Sequence, residues 1–258
     1  MEEQIIMKFG GASVASPERF AQIADIIALR KKGYARIVIV VSAMGDTTDQ
    51  LIALAHKVNP NPPKREQDML LTVGERISIS LLAMALDLKG IKAVSLTGSQ
   101  SGIITDTRHT DARIVEVRPH RIKRHLDQEK VVIVAGFQGV SRDGEITTLG
   151  RGGSDTSAVA LGVALGAAKV EFYKDVEGIY EEDPKKNPQA QLFAHMTYIK
   201  ALEIADRGAE VLQKRSIALA EKNRLALQVL SFNDPSRAGT LIRDDKGIKP
   251  ATCIYEDL

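Results

Sequence analysis

The residues best equipped for chemistry lie in one run, Gly150-Arg151-Gly152-Gly153-Ser154-Asp155-Thr156, which leads directly into an Ala/Val/Leu-rich segment ending near Leu165. Three glycines expose backbone N–H groups at a helix start, where the helix dipole favours an anion. Arg151 is suited to grip a carboxylate or phosphate through two parallel hydrogen bonds. Ser154 and Asp155 suit either helix capping or service to a ligand and its metal. The combination supports anion binding beside a charged clamp.

Three further loops carry unusual composition, each after a β-branched run. Lys8-Phe9-Gly10-Gly11 joins a point charge to adjacent glycines whose N–H groups can approach an anion; taken alone, such glycines also mark an ordinary tight turn. Ser42-Ala43-Met44-Gly45-Asp46-Thr47-Thr48 is rich in hydroxyls that could bind a carboxylate or cap the following helix. Gly136-Phe137-Gln138-Gly139 frames an aromatic and an amide, and a structural turn with a packed Phe explains it equally well.

These loops need strands to hold them. Short β-branched runs at 5–9, 36–41, 92–96, 131–134, 170–174 and 226–230 alternate with helical patterns, which predicts a mainly parallel sheet covered by helices on both faces. RIVIVV and KVVIVA are continuously apolar, as expected of strands buried on both faces. Ser16 and Pro17 start a helix reaching about Lys31, and residues 66–88 read as one long helix. Helices are also expected over 196–207, stopped by Gly208, and over 210–223. Asp143-Gly144 reads as a tight hairpin turn in a small antiparallel excursion. In such a sheet, ligands gather where loops leave the carboxyl ends of the strands.

Composition narrows the classes. With 258 residues and a formal charge of +2, the chain is long enough for a substantial core and has no nucleic-acid footprint. The N-terminus has the wrong order for a secretory signal, and no stretch reads as the roughly 18 consecutive apolar residues of a membrane span. A single Cys253 excludes an intramolecular disulfide, and a cytoplasmic location is expected. There is no Walker loop, dinucleotide fingerprint or protein-kinase signature, and the five histidines show no metal-ligand spacing. No linker or repeat divides residues 1–258 into separate domains.

KFGG, VVSAMGDTTDQL, LLTVGERIS, GFQG, TTLGRGGSDTSAVAL and KDVEGIYEEDP occur in an order that resembles the aspartate kinases of the amino-acid kinase superfamily, from Lys8 to about Ile242. The resemblance implies a three-layer α/β/α sandwich whose N-terminal lobe, about 1–160, holds the amino acid and whose C-terminal lobe, about 161–258, holds ATP. It implies transfer of the ATP γ-phosphate to the side-chain carboxylate of L-aspartate, giving 4-phospho-L-aspartate for lysine, threonine and methionine synthesis. Lys8 would contact the transferring phosphate beside Gly10 and Gly11, and Ser42 and Thr47 would line the aspartate site. Glu75 would bind the ammonium and Arg151 the α-carboxylate, while Ser154 and Asp155 would organise substrate, Lys8 and Mg2+. Lys174, Asp175, Tyr180, Asp183 and Lys185 would surround ATP. The alternatives are a different carboxylate acceptor on the same fold, or a ligand-binding homologue without catalysis.

Three further expectations follow from the same resemblance. A homodimer is implied. Only sixteen residues follow Ile242, where aspartate kinases usually continue into ACT modules, so the expectation is an enzyme without such a module, unregulated or served by a separate regulatory subunit. Glu210 stands where many relatives carry a lysine directed at ATP phosphates, and a carboxylate pointing inward there would repel them.

Overall fold

The computed structural model describes residues 4–182, 187, 189–208, 211–244 and 249–256. In chain order these form β1 (Gln4–Phe9), α1 (Pro17–Arg30), β2 (Arg36–Val41), α2 (Thr47–Val58), α3 (Lys64–Leu71), α4 (Val73–Asp87) and β3 (Ala93–Leu96). There follow α5 (Gly98–Ser101), β4 (Ile103–Thr105), β5 (Ile114–Val117), α6 (His120–Leu126), β6 (Val131–Ala135), β7 (Gln138–Ser141) and β8 (Ile146–Thr148). The remainder comprises α7 (Gly153–Leu165), β9 (Lys169–Lys174), β10 (His195–Met196), α8 (Tyr198–Asp206), α9 (Lys214–Asn223), β11 (Ala226–Ser231) and β12 (Thr240–Ile242).

Eight strands make one sheet in the order β10-β12-β11-β9-β1-β2-β6-β3, parallel except where β12 runs against β11. β1 lies between β2 and β9, so the chain leaves it toward one side and later returns on the other. That reversal opens a crevice at the strand ends.

Strand alternation sorts the core onto two faces. Ile5, Met7, Phe9, Ile37 and Ile39 pack with Phe20, Ile23 and Ile27 of α1 and with Ile79, Leu82 and Leu86 of α4. Ile6, Val38, Val40, Val132 and Phe172 pack with α7 and α9 on the opposite face. The fold is therefore a three-layer α/β/α sandwich. Lys8 shares the phase of Ile6, which directs it to the face that carries α7. Helix α7 is apolar nearly all round, and residues Gly153 to Gly162 are buried without a break, as expected of a helix enclosed by the core.

The sequence and the structure differ in several places. The helix expected over 66–88 is two helices meeting at Thr72, whose carbonyl accepts a hydrogen bond from Gln138 Nε2 (3.1 Å). Helix α8 starts at Tyr198 because Thr197 caps it, accepting from Lys200 N, while Met196 belongs to a short strand. Helix α9 starts at Lys214, not at 210. Ser16 occupies the predicted N-cap of α1 without a capping bond from its side chain. The hairpin at Asp143-Gly144 forms as expected, with Gly144 at φ +85°, and belongs to a second sheet in the order β5-β4-β7-β8.

By length and composition alone, the run Lys64–Asp87 would pass as a membrane span, which the reading of uninterrupted apolar stretches did not anticipate. A core helix passes the same test, and Ile79, Leu82 and Leu86 do pack beneath the sheet. The outward face keeps Val73, Ile77, Met84 and Leu88 exposed.

The two faces of α4 give a test of the packing. Leu82→Ala should cost about 2–5 kcal/mol in urea unfolding because it empties a buried position, whereas Arg76→Ala on the exposed side should change stability by no more than about 0.5 kcal/mol.

Candidate active site

Three parallel strand ends and one helix start converge on a cavity of about 640 Å³. β1 supplies Lys8, β2 leads into Ser42 and Ala43, β9 ends in Lys174, and α7 begins with Gly153, Ser154 and Asp155. Of the residues expected from the sequence, Lys8, Gly11, Ser42, Glu75, Arg151, Ser154, Asp155 and Lys174 all line this space.

The centre of the cavity is ionic. Lys8 Nζ lies 2.6 Å from Asp155 Oδ1, with both side chains almost completely buried. Lys174 Nζ reaches the other carboxylate oxygen at 3.4 Å. Burial pushes the Lys8 ammonium below its ordinary pKa and Lys174 adds to the effect, while Asp155 restrains it. Burial alone would raise the Asp155 carboxyl, but Lys8 and then Lys174 outweigh it and hold it below the usual carboxylate value. Two cations on one anion leave an excess positive charge, which suits an incoming phosphate.

Glu75 forms the opposite pole. It is 2% exposed, accepts a hydrogen bond from Ala43 N at 3.1 Å through Oε1, and its Oε2 has no hydrogen-bond partner among the described residues. Burial is the main cause that lifts its pKa to about 7, only partly offset by backbone donors including Ala43 N–H and by the nearby Gln138 side chain. A buried carboxylate oxygen without a donor is ready for a cationic ligand. Arg151 is exposed on the cavity rim and makes no ion pair with a described residue.

Backbone geometry holds these groups in place. Gly152 has φ +69°, and an added Cβ would lie 1.8 Å from Gln213 Cγ, so the loop touches α9 where only glycine fits. At Gly136 an added Cβ would meet Ser154 Cβ at 2.8 Å. Phe137, in the cavity wall, adopts φ +68°, strained for an aromatic residue; its N–H donates to Ser157 Oγ of α7 at 3.1 Å.

Other predicted residues fall elsewhere. Gly10 precedes a short 3-10 turn beside the Lys8 ammonium, and Gly11 takes the place in the wall. The Thr47 hydroxyl donates to Met44 O at 2.6 Å, and its neighbour Thr48 lines the cavity. Asp175 is exposed just past β9, and the Tyr180 hydroxyl donates to Glu177 at 3.1 Å; neither lines the cavity. Asp183, Lys185 and Glu210 lie outside the described residues.

Sequence reasoning missed Asp68, which is fully buried. Its carboxylate accepts from Thr148 Oγ1 (2.6 Å) and Thr110 N (3.1 Å) and lies 2.7 Å from His109 Nδ1. It thereby ties two wall residues, Thr110 and Thr148, to α3. A signal existed: Asp68, Leu71 or Thr72, and Glu75 share one helix face at spacings of three, four and seven. Gln67 and Gln213 also line the wall, and nothing in their local sequence marks them.

Fold and cavity together define a parallel α/β protein whose topological switch point carries a cavity with two lysines on one buried carboxylate. The chain belongs to the amino acid kinase family, whose sequence profile matches residues 3–231. It is 50% identical over 241 residues to the aspartokinase of Corynebacterium efficiens, a match that covers 92% of this chain and 56% of that protein. It therefore spans little more than half of that relative's length. Among solved structures it resembles aspartate kinase from Synechocystis, with a TM-score of 0.87, 43% identity and coverage of 98% of this chain and 42% of that one. Aspartokinase III of E. coli, solved with aspartate and ADP, gives a TM-score of 0.85, 26% identity and coverage of 95% and 65%.

The burial of Glu75 makes stability depend on pH in one direction. Its folded pKa of about 7 exceeds the ordinary 4.5, so the ligand-free protein loses stability as pH rises through that window. Glu75→Gln removes the effect. The variant should gain about 3 kcal/mol relative to the parent between pH 4.5 and pH 8 in urea unfolding.

Proposed function

We propose that the chain carries aspartate kinase activity, moving the γ-phosphoryl group of ATP to the side-chain carboxylate of L-aspartate. The observation that carries this reading is the meeting, in one cavity, of a buried carboxylate with a spare oxygen, Glu75, an exposed arginine, Arg151, and two lysines held on Asp155. The resemblance to a relative solved with aspartate and ADP supports it.

Each group then has a role. A carboxylate is ionised at neutral pH, so the attacking oxygen needs no general base, and catalysis reduces to alignment and neutralisation of charge. Arg151 holds the α-carboxylate and Glu75 the ammonium, and Ser42 and Ser154 border the reacting side chain. Lys8 and the Gly11 backbone face the transferring phosphate, and Lys174 the phosphates behind it. Asp175, Tyr180, Asp183 and Lys185 are assigned to the outer parts of ATP.

Magnesium fits this donor set. No cluster of three His, Cys, Asp or Glu side chains exists among the described residues, but an ion carried by nucleotide phosphates requires only one or two carboxylates, and Asp155 can supply one. When bound, the ion neutralises phosphate charge. We place the enzyme in the cytoplasm.

A coupled assay of ADP release with aspartate, glutamate and N-acetylglutamate decides the acceptor. Turnover of another acid but not aspartate would overturn the assignment. Lys8→Ala and Asp155→Ala should each lower kcat by roughly 100-fold to 1000-fold while changing the aspartate KM far less. Near-normal turnover in either would contradict its role.

A homodimer belongs to the same reading, and the exposed stripe Val73, Ile77, Met84 and Leu88 on α4 is the surface we assign to the second copy. The double variant Ile77→Glu with Met84→Glu should halve the mass measured by light scattering. An unchanged mass would remove the stripe from the interface.

A further inference from the structure

We propose that Glu256 is a positioning residue for the loop 149–153, acting through Arg215, and that it governs affinity for the amino acid rather than the nucleotide. The inference rests on the assignment of Arg151 to the substrate carboxylate.

Arg215, in the first turn of α9, directs all five of its N–H donors to acceptors on three stretches of chain. Nη1 donates to Leu149 O (2.6 Å) and Asp111 Oδ1 (3.2 Å). Nη2 donates to Ala112 O (2.9 Å) and Glu256 Oε2 (3.0 Å), and Nε donates to Glu256 Oε1 (2.7 Å). Leu149 is the residue before Gly150 and Arg151. Two residues upstream of Arg215, Gln213 packs on Gly152 so closely that no Cβ could intervene. The start of α9 thus grips the clamp loop at both ends, through the Leu149 carbonyl and through Gly152.

Glu256 fixes the orientation of that guanidinium. Its two oxygens meet the planar fork side by side, the arrangement with the strongest directional preference for arginine. Its side chain is only 11% exposed. Glu256 also accepts from Ile114 N (2.8 Å) and donates its own N–H to Ile114 O (3.1 Å). Two residues earlier, Ile254 exchanges a reciprocal pair of bonds with the Asn223 side chain (2.7 and 2.9 Å). Residues 249–256 form no helix or strand, so side-chain clasps and single backbone pairings hold the segment on α9 and β5. Without Glu256, the ion-pair partner left to Arg215 among the described residues is Asp111, whose side chain is 80% exposed. The guanidinium then turns outward and the Leu149 carbonyl loses its donor. The displacement reaches Arg151 two residues later, whereas Lys8 and Lys174 sit on strands that this contact does not touch.

The test compares Glu256→Ala, Glu256→Gln and Arg215→Lys with the parent chain. Glu256→Ala should raise the aspartate KM about tenfold, with the ATP KM and kcat within about twofold. Glu256→Gln, which keeps an acceptor for Ile114 N, should fall between the two. Arg215→Lys, which lacks the fork, should match Glu256→Ala. Amide hydrogen exchange over 149–153 should accelerate in Glu256→Ala while exchange in β1 stays unchanged. An unaltered aspartate KM, an equal rise in both KM values, or unchanged exchange over 149–153 would overturn the proposal. If Glu256→Ala fails to fold, Glu256→Gln and Arg215→Lys decide by the same readouts. If the parent chain phosphorylates no aspartate, the functional reading falls, and the exchange data alone decide whether Glu256 positions the loop.

Discussion

The buried contact between Lys8 and Asp155 is the constraint around which the site is organised. It ties the end of the central strand β1 to the first turn of α7, so the sheet and the helix layer meet at a charge pair rather than at apolar side chains. Neither charge could be buried alone without a cost of several kcal/mol. The pair therefore requires the switch-point crevice, in which strand ends open toward a helix N-terminus, and the crevice in turn determines where a ligand can enter.

Charge in the cavity is left unbalanced at both poles. Lys174 adds a second cation to Asp155, and Glu75 keeps one oxygen without a hydrogen-bond donor among the described residues. An amino acid carrying both an ammonium and a carboxylate, together with a nucleotide phosphate, would satisfy all of these groups. Stability lost to preorganisation of this kind is recovered on binding.

Around this centre, two polar knots, one buried and one partly exposed, replace the regular secondary structure that loops lack. Asp68 gathers His109, Thr110 and Thr148 against α3, and Arg215 gathers Asp111, Ala112, Leu149 and Glu256 against α9. Both act on the cavity wall from behind. Each is satisfied on nearly every donor or acceptor, which gives loop segments the rigidity a positioned site needs.

The sequence alone determined the layered fold, because continuously apolar strands such as RIVIVV can exist only between two covered faces. It also singled out Lys8, Arg151 and Asp155 as candidate chemical groups, because each stands beside glycines in a loop or helix start, whereas Glu75 was reached only through the family resemblance. The kink at Thr72, the short strands β4, β5, β10 and β12, and the displacement of Thr47 by Thr48 in the wall were not legible. Each depends on a partner far along the chain or on a side-chain direction of one residue's rotation. Tertiary structure alone decided that Asp155 would be shared by two lysines from different strands, that Asp68 would be buried, and that Arg215 would join the loop 149–153 to Glu256. Those contacts span about 20 to 150 residues, and local spacing carries no information about them because only the closed sheet brings their backbones within hydrogen-bonding reach.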